Sequence, residues 1–138
     1  MKFSYFEFEI INSNRKIYRP AVRLFLKNGK KLIYSLGVID SGADCTILPI
    51  ELAGELDLKL DAKKKTSFIG AGKNPFTVYP SPIEIKHVIR QNGFRDLEWS
   101  SKVYFAESQP SILLGNKGFL EHFKVTLDGT KRELEITK

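Results

Sequence analysis

Apolar and polar residues alternate with a period of two along most of this chain, which is the pattern of half-buried β-strands. The alternation starts in the N-terminal stretch and recurs up to the last residues, so strands dominate the prediction. The predicted strands cover residues 3–11, 20–27, 31–39, 66–70, 75–87, 96–106, 111–115, 123–127 and 131–137, with a short extended piece at 46–49.

Asn-Gly and Asp-Gly pairs lie between several of these strands. Asn28-Gly29, Asn92-Gly93 and Asp128-Gly129 predict hairpin turns, because these dipeptides accept the backbone angles of tight connections. Only one longer apolar pattern has helical spacing: Pro49 opens it, it runs to about Leu58, and its inner face carries Leu52, Ala53 and Leu56. Residues 118–123 predict a second, brief helical turn.

We therefore predict one all-β domain over residues 1–138, mostly antiparallel, with one or two short helices. Barrel-like closure would hide its strand edges. The chain of 138 residues is long enough for one core, and its 42% hydrophobic and 28% charged residues are ordinary globular composition. No apolar run approaches the length of a membrane span. A single cysteine is compatible with a reducing compartment, so we expect a cytoplasmic protein.

The net charge of +6 raises the question of nucleic-acid binding. The basic residues are spread over the chain, and the densest cluster, Lys63-Lys64-Lys65, is typical of a solvated loop. The aromatic residues sit at alternating positions, as in a sheet core rather than a base-stacking platform. Nucleic acid is therefore an unlikely partner, although the positive field favours acidic substrates or partners.

The candidate chemistry lies at Asp40-Ser41-Gly42, directly after the apolar run Val38-Ile39. A strand that ends at a carboxylate delivers the acid to a defined place, and Ser41 can orient the turn. Gly42 permits backbone angles and close approaches that a Cβ would block. The tripeptide alone is also ordinary turn chemistry. Its apolar flanks favour the catalytic interpretation.

The cysteine and the two histidines give no comparable indication of a catalytic or metal site. Cys45 has no histidine at readable spacing that would activate it, so we interpret it as a small structural thiol. His87 and His122 stand alone without further ligands at metal-binding spacing. We expect no metal and no cofactor.

Residues 40–46, Asp-Ser-Gly-Ala-Asp-Cys-Thr, resemble the Asp-Thr/Ser-Gly-Ala-Asp motif of retropepsin-like aspartic proteases. Gly70, Ala71 and Gly72 stand where that family carries its glycine-bearing flap. Ile112-Leu-Leu-Gly115, followed by Gly118-Phe-Leu, resembles the family's second signature, with Leu114 and Gly115 as its core. The resemblance covers roughly residues 20–127. It implies a closed acid-protease-like β-barrel and an aspartic endopeptidase.

Aspartic proteases polarise a water molecule between two carboxylates that share one proton. This chain has one Asp-Ser-Gly, and Asp128-Gly129-Thr130 has the wrong order and lies in a predicted turn. The second carboxylate must then come from a second copy of the chain. The resemblance thus implies a homodimer in which two Asp40 residues face each other across the axis, with a peptide or protein as substrate.

The resemblance also implies roles for the neighbouring residues. Ser41 would brace the two active-site loops across the dimer, unless it only closes its own turn. Ala43 would line a pocket, and Asp44 would bind substrate backbone or form an ion pair, unless it is a solvated turn residue. Arg19, which precedes Pro20 as in retroviral members, would pair with Asp44 of the partner subunit.

One departure from the family lies after Leu-Leu-Gly. An arginine usually follows there, whereas this chain has Asn116-Lys117. The arginine support of the active-site region is then absent or supplied by Lys117. Two other functions stay open: a catalytically silent dimerisation or peptide-binding module of the same fold, and a basic RNA-binding barrel.

Overall fold

The computed structural model describes residues 1–70 and 72–138 of the chain. Strands make up most of its regular structure, because β-branched and aromatic residues alternate with polar ones over short segments. Helical structure is limited to α1 (Glu51–Glu55) and a 3₁₀ turn at Ala62–Lys64. The strands are β1 (Lys2–Ser4), β2 (Phe6–Glu9), β3 (Lys16–Arg19), β4 (Ala21–Asn28), β5 (Lys31–Ile39), β6 (Ile47–Pro49), β7 (Thr66–Ile69), β8 (Pro75–Pro80), β9 (Ile85–Ile89), β10 (Leu97–Ser101), β11 (Tyr104–Ala106), β12 (Ile112–Leu114), β13 (Lys124–Asp128) and β14 (Glu133–Thr137).

The strands form three sheets. The largest has nine strands in the order β10-β9-β4-β5-β12-β6-β11-β8-β7, and the others have the orders β1-β14-β13 and β2-β3. The all-β class expected from the sequence is therefore confirmed. Within the described residues the nine-stranded order runs from β10 to β7 without joining its ends, so a closed barrel is not seen.

Strand β12 lies between β5 and β6 and sets the geometry of the candidate site. It runs parallel to β5, with Leu114 opposite Ile39, and antiparallel to β6. Gly37 on β5 allows this approach, because a Cβ there would lie 2.9 Å from the Leu114 side chain. The ends of β5 and β12 consequently meet at one edge, where residues 40 and 115 follow.

The main hydrophobic core lies beneath β4, β9, β10 and β12. On β4, Leu24 and Leu26 are fully buried, as the alternation predicts. Trp99 stacks on His87 with ring centroids 4.8 Å apart, and its indole NH donates to the Gly118 carbonyl at 2.7 Å. A second, smaller cluster of Ile47, Val78 and Ala106 lies under the β7–β8 hairpin. The core thus supports both segments that surround the candidate site.

Local sequence signals located some elements closely. The predicted strand 31–39 is β5, and Asn28-Gly29 forms its turn, with Gly29 at φ +55°. Ala53 and Leu56 are buried as predicted, whereas Leu52 is half-buried.

Other boundaries were wrong. The predicted strand 3–11 divides at Tyr5, because β1 pairs with β14 and β2 pairs with β3. Strand 75–87 is interrupted between β8 and β9, and strand 96–106 between β10 and β11. Helix α1 ends at Glu55, and residues 118–123 form hydrogen-bonded turns rather than a helix. Strand β3 was not predicted.

No helix within residues 1–70 and 72–138 is both long enough and apolar enough to cross a membrane.

Candidate active site

Asp40 follows the last residue of β5 and lies in a tight, internally bonded turn. Its backbone NH donates to the Leu114 carbonyl at 3.1 Å, which continues the β5–β12 ladder by one residue. Its Oδ1 accepts from the Gly42 NH at 2.9 Å. The Ala43 NH donates to the Asp40 carbonyl at 3.2 Å. The half-buried carboxylate is therefore held by the strand before it and the turn after it.

The turn leaves little room for a side chain at Gly42. A Cβ at this position would lie 3.2 Å from Asp40 Oδ1, which is closer than a carbon normally approaches an oxygen. The role that the sequence assigns to Gly42, a close approach without a side chain, agrees with this geometry.

Asn116 supports the active-site loop from the neighbouring strand. Its side-chain amide donates to the carbonyl oxygens of Ser41 and Ala43, both at 3.0 Å, and its backbone NH donates to Ala43 at 2.9 Å. The sequence predicts that the family's arginine support is absent or supplied by Lys117, and it gives Asn116 no role in the loop, whereas in the structure the Asn116 side chain holds the loop. Lys117 contributes its backbone NH to the Asp44 carbonyl at 2.9 Å.

Leu114 and Gly115, the second signature, lie directly behind the loop. Leu114 is fully buried, and Gly115 NH donates to the buried Thr46 hydroxyl at 3.2 Å. A Cβ on Gly115 would lie 2.7 Å from the Ala43 carbonyl oxygen and still closer to the Cys45 carbonyl. Only a glycine lets the two segments meet at this distance.

A cavity of about 630 Å³ opens in front of the Asp40 carboxylate. One wall is the active-site loop, and the opposite wall is the β7–β8 hairpin. The active-site loop contributes two carboxylates to the cavity, and most of the remaining side chains are aliphatic or aromatic, with Ser67 and Gln109 as polar exceptions. The cavity is lined by Asp40, Gly42, Ala43, Asp44, Ile47, Ser67, Phe68, Ile69, Gly70, Phe76, Gln109 and Leu113.

The structure brings together most of the predicted site residues. Gly70 faces the same cavity as Asp40 across a long sequence separation, as expected of a flap. Gly72 is exposed, with open space where a Cβ would stand. Ala71 lies outside the described residues. Ser41 is exposed and is not one of the residues that line the cavity.

The β7–β8 hairpin is attached to the body at its base. Phe68 packs against Tyr104 with ring centroids 4.7 Å apart, and β8 pairs with β11. Toward the tip, Ile69 is 77% exposed. A segment that is fixed at its base and exposed at its end has the build of a lid over the cavity.

Asp44 and Arg19, two charged residues near the loop, form no ion pair with any residue that the structure describes. Asp44 faces the cavity without an ion pair. Arg19 lies with its guanidinium 5.3 Å from the centroid of the Phe8 ring. The pairing between Arg19 and Asp44 of a second subunit stays a prediction.

Cys45 and the histidines do not form a second reactive centre. Burial raises the pKa of the half-buried Cys45 thiol, so it is less ionised than a free cysteine. His87 is fully buried in the aromatic core, away from the cavity. Within the described residues, His, Cys, Asp and Glu side chains form no group of three that could hold a metal ion.

Sequence reasoning missed three residues of the site. Asn116 was noted only as a departure from the family, although its position after Leu-Leu-Gly is the signal that points to it. The buried hydroxyl of Thr46 accepts a hydrogen bond from the Gly115 NH and so connects the loop to the second signature. Gln109 brings an amide into the cavity wall and donates to the Ser111 carbonyl at 2.8 Å. Neither Thr46 nor Gln109 has a local sequence signal.

No protein-family model and no curated protein matches this chain. Among solved structures, a retropepsin-like aspartic protease from Rickettsia conorii is similar, with 24% sequence identity and a TM-score of 0.54. The match covers 85% of this chain and 88% of that chain. At this identity the likeness shows a shared fold.

Proposed function

We propose that this chain is one subunit of a homodimeric aspartic endopeptidase and that residues 1–138 form one such domain. The observation that carries the proposal is the position of Asp40. A strand and a bonded turn hold its carboxylate at one wall of a cavity, and a hairpin forms the opposite wall. The fold shared with a retropepsin-like aspartic protease supports the same conclusion.

The proposed reaction needs two carboxylates with one proton between them. Asp40 of each subunit lies next to its mate across the two-fold axis, and the pair holds a water molecule. One carboxylate takes a proton from the water as the water attacks the peptide carbonyl, and the other gives its proton to the carbonyl oxygen. Because the Gly42 NH donates a hydrogen bond to Oδ1 of Asp40, Oδ2 is the oxygen that binds the water in this proposal.

The cavity accepts an extended peptide between the loop and the hairpin. Asp44 binds the substrate backbone, and the β7–β8 hairpin with Gly70 and Gly72 closes over the peptide and excludes water. The reaction uses no cofactor and no metal. A shared-proton pair works only when half protonated, so activity follows a bell-shaped pH profile with its optimum on the acidic side of neutral.

The test is the substitution Asp40→Asn. We expect it to lower the rate of peptide hydrolysis by about a thousandfold or more, since the water loses its base. Asp128→Asn, in the exposed β13–β14 turn, is the matched control and should keep full activity. An excess of Asp40→Asn subunits should also inhibit wild type beyond simple dilution, through inactive mixed dimers.

Full hydrolysis by purified Asp40→Asn protein would contradict the proposal. Wild-type protein that binds peptides in the cavity without cleaving them would favour the alternative function, a catalytically silent peptide-binding module.

A further inference from the structure

Residues 6–19, here called the arm, form a hairpin that stands apart from the other sheets. Its strands β2 and β3 pair only with each other within the described residues. Isolated two-stranded hairpins are marginally stable in water and need a surface to pack on. The arm therefore raises the question of what covers each of its two faces.

The polar face is tied to the arm's own subunit. Glu7 binds Lys16 at 3.0 Å and accepts from the Tyr18 hydroxyl at 3.0 Å. The guanidinium of Arg132, between β13 and β14, lies 3.8 Å from the centroid of the Tyr18 ring. The first two contacts lie within the arm, and the contact between Arg132 and Tyr18 joins this face to the rest of the subunit.

The other face is apolar, and only part of it is exposed. Its half-buried Phe6 and Phe8 rings lie 5.2 Å and 5.3 Å from the guanidinium groups of Arg23 and Arg19 of the same subunit. Phe6 and Phe8 share it by strand alternation, and Ile17 is opposite Phe8. Ile17 is 36% exposed, and Ile11 at the tip is 88% exposed. Phenylalanine, isoleucine and arginine on one face resemble the centre of a protein–protein interface more than an ordinary surface.

The base of the arm lies beside the candidate active site. Arg19, its last residue, precedes Pro20, whose carbonyl accepts from the Ile39 NH at 2.8 Å. Ile39 is the residue before Asp40. From this base each four-residue strand extends about 13 Å, and the loop adds to that reach. The arm thus starts next to the position where a second carboxylate has to arrive.

We propose that the apolar face of the arm packs on a second copy of this chain and that the two arms of a dimer clasp opposite subunits. The inference rests on the proposed function, because a site with one Asp40 is incomplete without a partner subunit. A two-fold axis near Asp40 places both arm bases close to the axis. Each arm then contributes the same contact once, as an isologous interface requires.

The test is the double variant Ile11→Lys/Ile17→Lys, measured by sedimentation velocity over a dilution series. Both side chains are on the exposed hairpin, so the fold should persist, which circular dichroism checks. Burial of one isoleucine favours association by about tenfold or more, and each substitution occurs twice in a dimer. We expect the dimer dissociation constant to rise by at least about a hundredfold.

Leu32→Lys is the matched control. Leu32 is 61% exposed on the outer part of β5, seven residues before Ile39, and should leave the dissociation constant unchanged. A wild-type dimer whose dissociation constant is the same in the arm variant would overturn the arm proposal alone. A wild-type dimer that hydrolyses no peptide would contradict the proposed function and leave the arm result valid. Wild-type protein that stays monomeric at millimolar concentration would overturn the arm proposal as well.

Discussion

The active-site loop and the β7–β8 hairpin face each other across one cavity but are held in different ways. The carbonyls of Ser41, Ala43 and Asp44 all accept hydrogen bonds from residues 116 and 117. The hairpin is held by ring packing and strand pairing at its base, and Ile69 near its end is exposed. The contrast separates two physical demands: a proton-transfer group needs a fixed position, whereas a substrate needs an entrance that can open.

The glycines on the two sides show the same contrast. Gly115 is buried behind the loop, where a Cβ would contact backbone oxygens, whereas Gly72 in the hairpin has open space around it. Gly115 allows close packing, whereas Gly72 has room for a side chain. Substitutions at these positions therefore distinguish the fixed loop from the proposed lid.

The largest effect is expected from Gly115→Ala. The new methyl group would lie 2.7 Å from the Ala43 carbonyl oxygen, and a backbone atom cannot turn away as a side chain can. We expect the free energy of unfolding to fall by about 3 kcal/mol or more, with loss of activity. Urea denaturation measures the change.

The control for this variant is Gly54→Ala in α1, where no atom lies within 4 Å of the added methyl group. It should raise stability by about 0.5–1 kcal/mol, because alanine is the better helix former. Equal stability of wild type and Gly115→Ala would show that the loop is less fixed than its contacts indicate.

The second prediction concerns the stability of the hydrophobic core at acid pH, because the core contains the buried His87. Burial lowers the pKa of His87 to about 4, and neither ring nitrogen has a hydrogen-bond partner in the described residues. The unfolded chain therefore binds a proton more readily than the folded one. The contribution of uncharged His87 to the free energy of unfolding is fully present above pH 6.5, the usual pKa of histidine. It is lost as the pH falls from 6.5 to about 4. The loss amounts to about 3 kcal/mol.

His87→Leu should remove this part of the acid destabilisation, measured as the free energy of unfolding at pH 7 and pH 4. The same pH dependence in His87→Leu and wild type would contradict the prediction.

A moderate effect is expected from Asn116→Ala. It removes two hydrogen bonds to the loop, which lie at an exposed position and contribute about 1 kcal/mol together. Because the loop positions Asp40, we expect kcat to fall by about tenfold while KM changes less.

Asn116→Asp sharpens this experiment, because a carboxylate would face the same two carbonyl oxygens and should be worse than alanine. Asn14→Ala, in the exposed arm loop, is the control with unchanged kinetics. An Asn116→Ala enzyme with wild-type kcat would mean that the backbone bonds of residues 116 and 117 alone hold the loop.

The smallest effect on stability is expected in the proposed lid, the β7–β8 hairpin. Gly72→Pro restricts the backbone of the hairpin and should lower kcat several-fold with an unchanged melting temperature. Gly72→Ala, which has open space around it, should leave the rate near that of wild type. Wild-type turnover by Gly72→Pro would show that a different segment covers the substrate.

The extent to which local sequence predicts this fold differs between elements. Strand β5 and its Asn28-Gly29 turn follow from alternation and turn chemistry alone, since both depend on neighbouring residues. The division of the predicted strand 3–11 at Tyr5 does not follow from local sequence. It arises because the chain passes there from the β1-β14-β13 sheet to the β2-β3 sheet. Strand β3 was missed for the same reason: it exists only because β2 lies beside it.

For the candidate site, the sequence by itself pointed to Asp40 and the glycine two residues later, and the family resemblance pointed to the glycine-bearing segment that begins at Gly70. The tertiary structure decided which residues hold them. Asn116 reaches Ser41 across 75 positions because β12 runs parallel to β5 and ends at the same edge. A hydrogen bond depends on distances of about 3 Å in space. The order of residues along a chain carries that information only after the strands have paired.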